Sequence, residues 1–103
     1  MIARIWHGVV PKSKSDEYLQ NQREHGIGDY IKTEGNKGVY ILTRDEGDKT
    51  HYQLMTLWDS IESIKKFAGD DYEKARYYPD DKDYLLELEE KVKHFNVIIE
   101  QSI

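Results

Sequence analysis

Cysteine is absent from this chain of 103 residues. The protein therefore has no disulfide, no thiolate nucleophile and no zinc–thiolate or iron–sulfur site, and the absence is compatible with a reducing compartment. Lysine and arginine form no cluster, so we do not expect a nucleic-acid partner. The segment Met1–Trp6 lacks the basic stretch and the long apolar run of a signal peptide or membrane span, so we expect no membrane association and a cytoplasmic protein.

Familiar cofactor signatures are also missing. No glycine-rich phosphate loop with Lys and Ser/Thr occurs, and the pair Gly26 and Gly28 follows a predicted helix rather than a strand. The four histidines are His7, His25, His51 and His94. They form no i,i+4 pair on a helix and have no carboxylate at ligand spacing. We therefore predict no metal and no nucleotide cofactor.

Aromatic residues, in contrast, are plentiful at 12%, and eight of them are tyrosines. Although 34% of the residues are charged and the net charge is -5, this aromatic content separates the chain from disordered acidic sequences. The length fits one domain over residues 1–103.

Local patterns predict the elements of the first half. Alternating residues over Ile2–Val10 indicate a first strand, which Pro11 ends. Hydroxyl and acidic residues at its beginning and glycines after its end predict a helix over Ser13–His25. Turn residues at Gly35–Gly38 then lead into a second strand over Val39–Arg44.

The second half follows the same logic. Asp45–Lys49 is a polar hairpin loop, in which Gly47 can adopt a positive φ. Asp59 has the position of a helix cap before an apolar stripe that ends at Gly69. The remaining predicted elements are a third strand over Thr50–Trp58, a helix over Asp71–Tyr77, a helix over Asp81–Lys91 and a closing strand over Val92–Gln101.

This order predicts an α+β fold of the ferredoxin-like β-α-β-β-α-β type, with extra helix before the last strand. Four strands would form one antiparallel sheet with helices on one face. The first and third strands are apolar on both faces, which would leave a large apolar surface on a monomer. We therefore expect a homodimer that forms through the open face of the sheet.

Three side chains have the chemistry for a role in a pocket between sheet and helices. His7 can accept a proton at physiological pH, or it can be a core or interface histidine satisfied by a hydrogen bond. Arg76 can stabilise an enolate or carboxylate, or it can lie exposed on an acidic surface. Trp58, at a strand–helix junction, can line the pocket or fill the junction.

Aromatic residues of the helical segments form the second group of candidates. Five residues can wall a flat aromatic ligand, with tyrosine hydroxyls orienting its oxygens: Phe67, Tyr72, Tyr77, Tyr78 and Tyr84. Phe67 and Tyr72 also fall on helical apolar stripes, for which core packing is the alternative interpretation.

Several segments resemble the antibiotic biosynthesis monooxygenase family. They are Leu57–Phe67, Ala75–Pro79 and Phe95–Val97, and the similarity extends over about Ile2 to Ile98, including the strand order. The resemblance implies a dimeric α+β barrel in which two four-stranded sheets pack face to face. Its motifs are packing motifs more than catalytic ones.

The resemblance implies two kinds of activity. One oxidises polyphenolic aromatics with dioxygen and no cofactor, and it suggests a pocket lined by His7, Trp58, Phe67, Tyr72, Arg76 and Tyr77. In that hypothesis His7 or a tyrosine hydroxyl accepts the substrate proton and Arg76 steadies the enolate. The other kind degrades haem with an asparagine, a tryptophan and a histidine, and His7, Phe67 and Tyr77 stand at those positions here. Tyrosinate can ligate haem iron, but the three differences disfavour haem degradation. A binding protein without catalysis is the remaining alternative.

Overall fold

The computed structural model describes residues 1–102. The strands are β1 (Ile2–Pro11), β2 (Asn36–Glu46), β3 (Lys49–Trp58) and β4 (Lys93–Asn96). The α-helices are α1 (Ser15–Asn21), α2 (Ile27–Lys32) and α3 (Ile61–Ala68). Two 3₁₀ turns cover Lys12–Lys14 and Pro79–Asp83, and a π-helical segment covers Gln22–Gly26.

The four strands form one antiparallel sheet in the order β2-β3-β1-β4. Long hairpin pairing joins β2 to β3, and β1 lies between β3 and β4. This is the predicted ferredoxin-like α+β fold, with a short sheet edge at β4 and helices on one face. No helix within residues 1–102 is long and apolar enough to cross a membrane.

Strand register decides which side chains face the helices. On β3 the buried residues are Thr50, Tyr52, Leu54, Thr56 and Trp58, and these lie under the helices. Their direct partners on β1 are Val10, Gly8, Trp6, Arg4 and Ile2. Directly paired residues on neighbouring strands point to the same face of the sheet, and side chains alternate between the two faces along a strand. The β1 residues between these partners, which include His7, therefore lie on the open face, away from the helices. The prediction that His7 faces the helices is therefore wrong.

The first helical region is longer than its sequence pattern predicts. The sequence predicts that the helix ends at Gly26, but the chain passes through the π-helical segment and continues as α2 to Lys32. Gly26 and Gly28 keep right-handed backbone conformations, so they do not terminate the helix. Together, α1, the π-helical segment and α2 form one helical cover over residues 15–32. This helical cover brings Tyr18 and Tyr30 into the core.

Helix α3 begins at a different cap from the one its sequence suggests. Ser60, not Asp59, is the N-cap, and its hydroxyl accepts the Ser63 N–H at 3.2 Å. The Asp59 carboxylate instead accepts the hydroxyls of Ser60 and Ser63 at 3.0 and 2.6 Å. These two bonds lower the pKa of Asp59. Gly69, with φ 85°, ends the helix as predicted.

The segment between α3 and β4 is mostly irregular, and the two helices predicted over 71–77 and 81–91 are not formed. The extra helix is only the 3₁₀ turn Pro79–Asp83. Backbone bonds link Ala75 N–H to the Glu90 carbonyl and Val92 N–H to the Glu73 carbonyl, each at 2.8 Å. These pairings between distant residues replace the local helical bonds, so tertiary contacts override helix propensity here.

Candidate functional site

A small cavity lies between the sheet and the helical cover. Its volume is about 20 Å³, enough for one water-sized group. The lining residues are Trp6, Tyr18, Gln22, Tyr30, Leu54, Arg76, Tyr78 and Asp81. They come from β1, α1, the π-helical segment, α2, β3 and the segment after α3, so the whole fold contributes to this one space.

A wider cleft adjoins this cavity and has a volume of about 390 Å³, in the range of small-molecule sites. Gln22, Tyr78 and Asp81 line both spaces and therefore form the boundary between them. Four residues of the π-helical segment form one wall of the cleft: Gln22, Glu24, His25 and Gly26. Such π-bulges are frequent at functional sites because they reposition side chains within a helix.

Three polar atoms of the cavity lining, on Tyr18, Asp81 and Trp6, are buried without a hydrogen-bond partner. The first two are the Tyr18 hydroxyl and Asp81 Oδ1, on residues that are 0% and 3% exposed. The other Asp81 oxygen, Oδ2, accepts the Tyr78 backbone N–H at 2.7 Å. Trp6 Nε1 is also buried and unpaired, on a residue 7% exposed. Buried polar groups are almost always paired, so unpaired ones in a single cavity indicate a place for a polar ligand or water.

Burial also controls the protonation of these groups. It raises the pKa of Asp81, and the nearby Asp80 charge raises it further, while the bond from Tyr78 N–H opposes the rise. Burial raises the pKa of Tyr18 far above its ordinary value, and Asp81 adds to the effect. Tyr18 therefore stays a hydrogen-bond donor at neutral pH, beside a carboxylate whose basicity is increased.

The rim of the cavity carries Arg76. Its guanidinium donates to the Phe67 carbonyl at 3.0 Å and to Asp29 Oδ2 at 3.4 Å. It lies over the rings of Phe67 and Tyr78, with its Cζ 4.9 and 5.5 Å from their centroids. The side chain is 43% exposed, so it can reach both the cavity and solvent. The Tyr78 hydroxyl donates to the same Asp29 oxygen. The Asp29 carboxylate therefore holds the side chains of Arg76 and Tyr78 together at the rim.

A second arginine lies deeper beneath the same ring. Arg4 is 3% exposed, donates to the Tyr72 carbonyl at 2.7 Å and has its Cζ 5.7 Å from the Phe67 ring centroid. Burial lowers its pKa. Burial also lowers the pKa of His94, and the nearby positive charge of Arg4 lowers it further. The neutral form of the His94 imidazole is therefore favoured beside the Arg4 guanidinium. The interior beside Phe67 is therefore electropositive.

The three residues predicted to catalyse do not converge. Arg76 lines the cavity, but His7 lies on the open face and Tyr77 lies outside the cavity lining. The Tyr77 hydroxyl donates to the Glu89 carbonyl at 2.5 Å, and its ring packs edge-on against Trp6 at a centroid distance of 6.2 Å. Tyr77 therefore contributes to the wall behind Trp6, not to the site itself.

The three predicted ligand-binding aromatics pack in or beside the core. Trp58 is fully buried, and its indole N–H donates to Thr56 Oγ1 at 2.8 Å. Phe67 stacks on Tyr30 at a centroid distance of 4.5 Å. Tyr72 packs edge-on against His94 at 5.1 Å. None of these three lines the cavity or the cleft, so the alternative interpretation of core packing describes their positions.

His7 takes part in a different arrangement, a chain of hydrogen bonds across the open face. Its Nδ1 is 2.5 Å from Glu89 Oε1, and its Nε2 is 3.0 Å from His51 Nδ1. His51 Nε2 is in turn 3.2 Å from Glu46 Oε1. His7 is thus a histidine satisfied by hydrogen bonds, as in the alternative interpretation of the sequence. Within residues 1–102 no three His, Asp or Glu side chains are placed to hold a metal ion.

Sequence reasoning missed Trp6, Tyr18 and Asp81 as site residues. Alternation did place Trp6 opposite His7 on the first strand, but both rows of that strand are apolar, so the pattern could not say which one faces the helices. Asp81 was interpreted only as a residue at a helix start. No local signal links it to Tyr18, because the fold alone brings these two residues together.

No protein-family model matches the sequence, and no curated protein matches it. Solved structures with the same fold do exist. One is MhuD, a haem degrader from Mycobacterium tuberculosis with two haems in its active site, at 17% identity and a TM-score of 0.68 over 99% of this chain and 100% of that one. A variant of MhuD with two manganese protoporphyrin IX molecules per active site has 16% identity and a TM-score of 0.65, over 99% of each chain.

A third similar structure is a candidate antibiotic biosynthesis monooxygenase from Bacillus cereus. It shares 18% identity and a TM-score of 0.64, over 99% of this chain and 97% of that one. At these identities the similarity shows a shared fold over nearly the full length of both chains.

Proposed function

We propose that this chain is a member of the antibiotic biosynthesis monooxygenase family that oxidises a phenolic or other electron-rich aromatic molecule with dioxygen. One observation carries the proposal: an aromatic-walled cavity with an arginine at its rim opens into a cleft of small-molecule size. The fold shared with a candidate monooxygenase supports it. Cofactor-free oxidation asks the protein mainly for positioning and charge stabilisation, and this site offers both.

The net reaction for an anthrone substrate shows what the site must do. A CH₂ group becomes a carbonyl, one atom of dioxygen enters the product, and the other leaves as water with the two hydrogens removed from that carbon. Loss of the first proton gives an enolate whose negative charge must be held. Arg76 supplies the cation at the rim of the cavity.

We propose that no metal or organic cofactor takes part. Haem is the group that the similar structures suggest, but the residues here do not fit it. The cavity beneath the helices holds only about 20 Å³, and Tyr77 instead lines a separate surface cleft of about 530 Å³ whose other lining residues are mostly charged. Tyr77, which stands where the resemblance places the iron ligand, turns its hydroxyl to a backbone carbonyl. Burial also raises the pKa of Tyr77, which disfavours the tyrosinate that would bind iron.

Haem titration tests this part of the proposal. Adding haem to micromolar protein should leave the Soret band where it is for free haem. A saturable shift of that band, lost in Tyr77→Phe, would show haem binding through this residue instead.

We propose that the protein is a homodimer formed through the open face of the sheet. The apolar side chains on that face, assigned from the strand register, are Ala3, Ile5, Val9, Tyr40, Leu42, Met55, Leu57 and Phe95. Tyr40, Leu42 and Phe95 are each about half exposed in the single chain. An apolar surface of this kind marks an interaction site.

Light scattering tests the dimer. The wild-type mass should be twice the 12.2 kDa of one chain, and Met55→Lys should return it to the monomer value because it places a charge in the interface. Ile31→Lys, at an exposed position on the helical cover, is the control and should leave the dimer intact. A wild-type monomer at low micromolar concentration would contradict the proposal.

Oxygen uptake tests the activity. With an anthrone as substrate, we expect stoichiometric uptake and quinone formation without added metal. Arg76→Ala should reduce kcat/KM by about 10²-fold, as loss of one charge-stabilising donor does. Arg23→Ala removes an exposed arginine that lies outside the cleft lining, so it should leave the rate unchanged. Tight binding of the aromatic molecule without oxygen uptake would instead support a binding protein.

A further inference from the structure

We infer that the Tyr18 hydroxyl and Asp81 Oδ1 form a subsite for an ionisable hydroxyl group of the substrate, a phenol or enol. The inference rests on the proposed function, since it names the substrate group that the same site binds. In the bound state Tyr18 O–H donates to the substrate oxygen, and the substrate O–H donates to Asp81 Oδ1.

Burial and the lack of partners carry the inference. Both residues are more than nine-tenths buried, both line the same cavity, and each presents an unpaired polar atom. Buried polar atoms are seldom without a hydrogen-bond partner, so two of them in one cavity indicate that a bound group pairs with them. A hydroxyl group can accept from the Tyr18 hydroxyl and donate to Asp81 Oδ1 at the same time, as a water molecule can in the free protein. The Trp6 indole N–H, also unpaired in this lining, is a further donor.

The size of the cavity sets the limit on what enters it. About 20 Å³ admits a hydroxyl and excludes a ring, so the aromatic body of the ligand must remain in the adjoining cleft. Asp81 belongs to the lining of both spaces. A flat molecule in the cleft can therefore direct one hydroxyl past the Asp81 carboxylate into the cavity.

The same contacts allow a proton transfer. The substrate O–H bond breaks, its proton moves to Asp81 Oδ1, and the oxygen keeps the electron pair as a phenolate that Tyr18 O–H continues to hold. Burial raises the pKa of Asp81, which makes its carboxylate a stronger base than an exposed one. Arg76, at the rim of the same cavity, offsets the negative charge that develops on the ring.

Binding of 4-methylphenol, which keeps its O–H at neutral pH, and of its methyl ether 4-methylanisole, measured by calorimetry, tests the subsite apart from oxidation. The wild type should bind the phenol about 10- to 100-fold more tightly than the ether, the range for a hydrogen bond to a charged group. Asp81→Asn and Tyr18→Phe should each reduce this preference. Asp83→Asn, on the same 3₁₀ turn but exposed, and Tyr40→Phe are the controls and should keep it.

Equal affinity of the wild type for phenol and ether would overturn the inference and show that the cavity holds only a structural water. Tyr18→Phe gives a second, independent test, since it only removes an unpaired hydroxyl. Retention of the full preference in both site variants would also overturn it.

Oxygen uptake separates this inference from the proposed function. Asp81→Asn should slow uptake, and the rate should recover as rising pH ionises the substrate in solution, whereas a merely structural change would not recover. Uptake that is unaffected by both site variants would refute the subsite and leave the oxygenase proposal intact. Selective phenol binding with no uptake of oxygen for any anthrone would refute the oxygenase and leave the subsite intact.

Discussion

Replacement of Asp81 by asparagine should stabilise the free protein at neutral pH. The carboxylate is 3% exposed, and its Oδ1 has no partner. Asparagine keeps a side-chain oxygen for the Tyr78 N–H and puts an uncharged NH₂ group in place of the unpaired carboxylate oxygen. The gain is therefore the cost of burying the charge, which we take as about 1–3 kcal/mol. For a domain of this length about 1 kcal/mol corresponds to about 4 °C in Tm. The variant should therefore melt about 4–12 °C above the wild type at pH 7.

The pH dependence of that difference is the sharper test. Burial raises the folded-state pKa of Asp81 above its ordinary value of 3.8, so the folded chain binds this proton more tightly than the unfolded chain. The stability from this proton is fully present below pH 3.8 and is lost as the pH rises through the folded-state pKa. The Tm difference between Asp81→Asn and the wild type should therefore grow from acid to neutral pH.

Thermal melts followed by circular dichroism across pH 4 to 8 give the measurement. Asp83→Asn removes the same charge from an exposed position on the same turn, so it should show no such pH-dependent gain. A variant less stable than the wild type at pH 7 would refute the reasoning, because it would mean that Oδ1 has a favourable partner. A Tm gain independent of pH would refute it as well, since the gain would then not come from the charge.

Three further substitutions test the packing around the site. Thr56→Val removes the hydroxyl that accepts the Trp58 indole N–H, and urea denaturation should show a loss of about 1–3 kcal/mol; an unchanged midpoint would contradict this. Gly35→Ala should lower Tm more than Gly47→Ala. Both glycines have positive φ, but only at Gly35 would an added Cβ clash with a side chain, at 2.1 Å from Ser63 Oγ. Equal losses of Tm in the two variants would contradict this. Tyr18→Phe removes an unpaired buried hydroxyl and should raise the free energy of unfolding by about 1 kcal/mol, whereas a loss would reveal a partner for that hydroxyl.

Much of the fold could be predicted from local patterns. Alternation gave the first strand as Ile2–Val10 against the observed Ile2–Pro11, and turn residues located the hairpin after the second strand. Prediction failed for residues 84–91, where acidic and leucine-rich sequence favours a helix. There the backbone pairs with distant segments, as in the bond from Leu86 N–H to the Val9 carbonyl at 2.8 Å.

The candidate site was less predictable than the fold. The sequence placed Arg76 near a pocket, and the structure has it at the cavity rim. It assigned His7 to the wrong face, because Ile5 and Val9 make that row of β1 as apolar as the row of Trp6. The sequence of a strand shows which face is buried only when the other face is polar.

The sequence alone determined the order of the four strands and the end of helix α3 at Gly69, since periodicity, caps and turn residues are local properties of the chain. It also determined that no thiol chemistry is possible. Only the tertiary structure decided which face of β1 lies under the helices and which residues meet in the cavity. Tyr18 and Asp81 are far apart in sequence, and their unpaired atoms share one space only because the helical cover and the segment after α3 pack over the same sheet.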